Sequence, residues 1–151
     1  MSDVDLVEAV KVLRDEVLDT VEHGDRDPPG AEVFDAILSA LQIGGESIPG
    51  LDLNLRDAVA RRLAWGDSEE SVLSDAESVF DRLMIAIERS LADPPDRMVV
   101  FEAATQVAVT VARATRDRAA RLREEMAQKQ LEVVLEKQRS SIVRMELETE
   151  P

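Results

Sequence analysis

The chain's one histidine, His23, follows Asp19 by four residues. On a helix that spacing puts an imidazole and a carboxylate on one face, where they could share a proton or offer two ligands to a metal. Nothing else in the sequence completes either use. A di-iron bundle draws a histidine from each of two helices, and here there is only one. A histidine at a helix C-terminus also has a plainer role, since its cation suits the helix dipole. Haem finds no histidine, cysteine or tyrosine in the middle of the chain to serve as an axial ligand.

The other reactive residue types are equally unassembled. There are 32 Asp+Glu, yet no two of them form a recognisable pair in an apolar setting that would separate their pKa values, as acid–base catalysis requires. Ser39, Ser68, Ser71, Ser74 and Ser78 have no histidine placed to activate them. Gly24, Gly30, Gly44, Gly45 and Gly50 fall in acidic turns without the lysine or the preceding strand of a phosphate loop. The absence of cysteine excludes disulfides, thiolate catalysis, iron–sulfur clusters and cysteine-based zinc sites. The expectation is therefore a non-enzyme with no catalytic residue, no metal and no cofactor. One alternative keeps a small-molecule site open: Trp65, Phe80 and Phe101 are large enough to line an apolar pocket, while Trp65, just before Gly66, equally suits a residue that closes the end of a core.

The elements that must position these residues read as helices throughout. Leu6, Val10, Leu13, Val17 and Val21 recur at steps of three and four, which predicts a first helix ending at His23-Gly24. Val33, Phe34, Ile37, Leu38 and Leu41 predict a second, ending at Gly44-Gly45. After a turn at Glu46–Gly50, a third runs from about Asn54 to Trp65 and stops at Gly66. Asp67, three residues before Glu70, predicts a capping-box start for a fourth helix carrying Val72, Ala76, Val79, Leu83 and Ile87. Asp93-Pro94-Pro95-Asp96 breaks it, and from about Arg97 to Arg139 a last helix meets neither glycine nor proline. This pattern predicts an all-α chain, a four- to five-helix bundle over residues 1–112. Residues 113–139 would continue the last helix as a coupling or oligomerising rod that projects or packs on a partner, and 140–151 would form a frayed tail.

Charge divides the chain in the same place. The 151 residues carry a net −14, with an isoelectric point near 4.4. Residues 1–110 hold 9 Lys+Arg against 24 Asp+Glu, a net of −15, whereas residues 111–151 hold 9 against 8, a net of +1. Acidity on this scale argues against nucleic acid and anionic membranes, which bind through Lys and Arg. No uncharged apolar run reaches 18 residues and the N-terminus lacks the pattern of a secretory signal, so the expected location is the cytoplasm. Arg113, Arg116 and Arg121, with Leu122, Met126 and Val133 beyond them, form the candidate interface: a docking stripe for a protein partner or a second subunit. The alternative is a solvated helix face. In one heptad register Leu122, Met126, Lys129 and Val133 share a seam, with a lysine in its core.

One stretch carries a resemblance. Arg56-Asp-Ala-Val-Ala-Arg-Arg-Leu-Ala-Trp65-Gly66-Asp-Ser-Glu-Glu-Ser-Val72-Leu73 leads into a long amphipathic helix, Pro94-Pro95 and a final helix that becomes a charged rod. Over roughly residues 50–125 this resembles the helical N-terminal sensor domains of RsbR-type stressosome proteins and PucR-type transcription regulators, in which a similar Ala-Arg-Arg to Gly-x-Ser junction joins two helices. The resemblance implies a dimeric, globin-like or four-helix regulatory module whose last helix relays a signal, and it carries over no catalytic residue. The output module that the resemblance implies, a STAS or helix-turn-helix domain, is absent after Arg139 within these 151 residues, unless the chain is a fragment of a longer protein. The leading expectation is a non-enzymatic regulatory module that acts through protein–protein interaction and homodimerisation. The rivals are an adaptor whose acidic bundle binds a basic partner, and a sensor with an apolar pocket.

Overall fold

The computed structural model describes residues 2–18, 30–42 and 49–149. Among them the chain is all-helical, with six helices: α1 (Asp3–Lys11), α2 (Arg14–Val17), α3 (Ala31–Gln42), α4 (Pro49–Ala64), α5 (Glu69–Ser90) and α6 (Pro94–Thr149). Two compact units divide it, Met1–Arg116 and Asp117–Pro151. By composition the first carries 11 Lys+Arg and 24 Asp+Glu, a net of −13, and the second 7 and 8, a net of −1.

In the first unit the helices share one apolar core. On α5 the buried positions Val72, Ala76, Val79, Leu83 and Ala86 advance by four, three, four and three residues. On α6 the buried positions Val100, Ala104, Val107, Val111 and Ala114 do the same. That spacing keeps a single stripe of each helix turned inward. Phe34, Ile37, Leu38 and Leu41 of α3 bury against the same core, as do Leu6, Val10 and Val17 of the N-terminal segment. Thr115, fully buried, is satisfied by donating its hydroxyl to the Val111 carbonyl at 2.7 Å.

Several helix boundaries differ from the pattern reading, each for a local reason. The expected first helix is two, because the ladder tightens at Val12-Leu13, where the Leu13 N–H donates to the Val10 carbonyl at 3.0 Å. The N-cap of α5 is Ser68, not Asp67: the Ser68 hydroxyl accepts from the Ser71 N–H at 3.0 Å. Asp67 is instead engaged by Arg62. Pro94-Pro95, expected as the breaker before the last helix, occupies its first turn, where a missing N–H costs nothing, and Asp93 offers its carbonyl to the Asp96 and Arg97 amides. Finally, α6 does not stop at Arg139 but runs on through the expected tail to Thr149.

Among the described residues two glycines hold left-handed backbone. Gly66 (φ +99°) ends α4: its N–H donates to the Leu63 carbonyl at 3.2 Å and the Asp67 N–H to the Arg62 carbonyl at 3.1 Å, the paired bonds of a Schellman motif. Gly30 (φ +87°) precedes α3 at a place where α5 comes so close that a Cβ would meet the Val79 side chain.

Candidate functional site

Arg62 holds two carboxylates at once. It donates from Nε to Asp67 at 2.9 Å and from Nη2 to Asp75 at 2.7 Å, which ties the end of α4 to the start and body of α5. Burial on its own lowers the pKa of the Arg62 guanidinium, but the hydrogen bonds and charges of Asp67 and Asp75 outweigh that and leave it above its ordinary value. The group stays charged at every accessible pH, so it is a clamp and not a proton donor. Arg14–Asp35 (2.5 Å), Arg61–Glu32 (3.4 Å) and Arg89–Glu16 are interhelical pairs on exposed surface and contribute little each.

Asp19 and His23 lie outside the described residues. Among the described residues no group of three or more His, Cys, Asp or Glu is placed to hold a metal, and no helix is long and apolar enough to cross a membrane. The three aromatic candidates separate. Phe80 and Phe101 meet edge to face with ring centroids 5.9 Å apart, half-buried to exposed on α5 and α6. Trp65 is 80% exposed at the end of α4 and makes no ring contact with them.

In the first unit one buried polar atom stands out. The Thr105 hydroxyl is enclosed and has no protein partner, one helical turn after Phe101. The exposed apolar side chains of this unit are scattered, with Val4 on α1, Leu53 on α4, Ile85 on α5 and Met98, Val99, Phe101 and Val109 on α6 among them.

The second unit presents a different surface. Arg113 and Arg116, at the end of the first unit, and Arg121, in the second, are exposed, and Leu122 is half-buried. From Arg123 to Leu147 every residue is exposed. Met126 and Val133, expected at an interface, are exposed, and so are Leu131, Val134, Leu135, Ile142, Val143, Met145 and Leu147. Shallow furrows between these side chains are made by α6 alone, for example among Glu132, Leu135, Arg139 and Val143. The cluster extends past Arg139 into the stretch expected to be a frayed tail. The signal was present: Leu131, Leu135, Gln138, Ile142 and Met145 advance by four, three, four and three. Comparison with protein families, with curated proteins and with solved structures finds no match for this chain.

Proposed function

We propose that this chain is a non-enzymatic regulatory module, a cytoplasmic helical bundle that works through protein–protein interaction and self-associates through the exposed apolar side chains of α6. The observation that carries the reading is the run from Arg123 to Leu147, exposed throughout yet holding leucine, isoleucine, valine and methionine at helical spacing. Solvated helices rarely keep such a set, and an exposed apolar patch rimmed by charge marks an interaction surface. The resemblance of residues 50–125 to helical sensor domains supports the regulatory part of the reading.

The magnitudes point to modest affinity. Leu131, Leu135, Ile142 and Met145 are 59%, 46%, 56% and 65% exposed. Fully burying such a side chain is worth ~1.5–3 kcal/mol, so eight of them losing about half their surface in a dimer gain ~6–12 kcal/mol. Association itself costs ~4–15 kcal/mol. A micromolar dimer needs a net of about 8 kcal/mol, which only the favourable ends of both ranges supply. The dimer is therefore weak and reversible and is populated toward several hundred micromolar. Light scattering on the Leu135→Glu chain tests this: a charge in the apolar stripe abolishes the dimer while far-ultraviolet circular dichroism keeps the helical signal. A dimer unaffected by Leu135→Glu would remove the support for this surface.

A second reading has its own observation, the net −13 of the first unit. An acidic adaptor would capture a basic partner with an affinity that falls steeply with salt. Retention of such a partner at 0.5 M salt would argue against it.

A further inference from the structure

Two apolar stripes run along the second unit's helix, and they are not equivalent. One passes through Leu122, Met126, Lys129, Val133 and Glu136, and so places a cation and an anion at core positions. The other passes through Gln128, Leu131, Leu135, Gln138, Ile142 and Met145, where the only polar groups are uncharged amides. A helix pair that closes over the second stripe buries no charge. The positions flanking it differ from side to side: Ala127, Val134 and Ser141 on one edge, Glu125, Glu132, Arg139 and Glu146 on the other.

We infer that this second stripe is covered by the same segment of a second copy of the chain, parallel and in register, with Gln138 facing Gln138. This rests on the self-association proposed above and adds its occupant and orientation. In a parallel pair each layer repeats its own residue, so leucine meets leucine, isoleucine meets isoleucine, and the amides of Gln128 and Gln138 meet amides they can hydrogen-bond. An antiparallel pair with Leu131 against Ile142 sets Gln138 against Leu135 and Gln128 against Met145, leaving four amides opposite apolar side chains. Charge at the edges decides the same way. Parallel helices bring one edge against the other, so the charged row faces alanine, valine and serine and no like charges meet. That antiparallel alignment brings like edges together and sets Glu125 against Glu146 at both ends, offsetting the two Glu132–Arg139 attractions at the centre. The stripe ends at Gln128 because the preceding core positions are Arg121 and Glu124.

The chain has no cysteine, so introduced thiols report without background. Leu131→Cys and Ile142→Cys chains are made singly in the full protein, mixed under native conditions, and oxidised mildly at a concentration where light scattering registers a dimer. The parallel pair predicts Leu131→Cys homodimers and Ile142→Cys homodimers with no mixed product. A mixed Leu131→Cys with Ile142→Cys product in excess overturns the orientation while leaving self-association intact. Absence of any dimer by light scattering up to several hundred micromolar overturns both this inference and the reading it rests on. A second variant reads the amide layer: Gln138→Leu tightens the dimer roughly tenfold or more and admits larger species, because the polar layer that restricts register is gone. Weaker association for Gln138→Leu would contradict an amide–amide layer at that position.

Discussion

Gly30 and Gly66 share a left-handed backbone but differ in what surrounds them, and alanine at each separates two costs. Around Gly66 a Cβ meets nothing within 4 Å, so Gly66→Ala bears only the conformational penalty of a positive φ, ~1–2 kcal/mol. Gly30→Ala bears the same penalty and also drives a methyl into Val79, which is 3% exposed and cannot swing into solvent. Overpacking of that kind costs ~1–3 kcal/mol, which makes the total about 2–5 kcal/mol. Val79→Ala alone removes two methyls from the core and costs ~2 kcal/mol with its cavity. In the Val79→Ala background, however, the new methyl at residue 30 has room, and Gly30→Ala should fall back to the cost seen at Gly66. The coupling in this double-mutant cycle is therefore ~1–3 kcal/mol in favour of the double variant. Urea unfolding followed by circular dichroism at 222 nm gives the stabilities of the parent, the three single variants and the double variant. A Gly30→Ala penalty no larger than that of Gly66→Ala, or one unchanged by Val79→Ala, would refute the close approach of the pre-α3 turn to α5.

Two further substitutions test the polar interior and the clamp. Thr105→Val keeps the shape and removes a buried hydroxyl that has no protein partner, so it should raise stability by ~1 kcal/mol, read as a higher urea midpoint at constant slope. Arg62→Met leaves Asp67 and Asp75 without their donor and should cost about 1–2 kcal/mol, toward the lower figure because the pair with Asp75 remains about a quarter exposed. Arg62→Lys should recover only part of this loss, since an ammonium cannot reproduce the two-armed reach to both carboxylates.

Where the pattern is periodic and the residues are apolar, the sequence reading and the structure agree. The α5 stripe from Val72 to Ile87 and the first half of α6 follow directly from three–four spacing, since a helix can turn only one stripe inward. Boundaries were less legible because they depend on hydrogen bonds that residue type does not determine. Asp67 and Ser68 both suit an N-cap, and Ser68 holds the position while Arg62 engages Asp67. Pro94 and Pro95 stop a preceding helix and start a following one equally well, and only the fold shows the second use. The exposed apolar surface proposed for self-association is half legible in the sequence. Met126 and Val133 stood out against charged neighbours, whereas Leu135, Ile142 and Met145 were passed over because polar residues between them, Gln138 and Arg139 included, dilute the local hydropathy. Exposure made the difference: sequence shows that a side chain is apolar, and the structure shows that nothing in the described fold covers it.

Self-association through the latter part of α6 remains the proposal on which the functional reading stands. Sedimentation equilibrium of the unmodified chain, from a few micromolar to several hundred micromolar, tests it most directly. The apparent mass should rise from 16.7 kDa toward twice that value across the series. A mass that stays at 16.7 kDa at the highest concentration would contradict it.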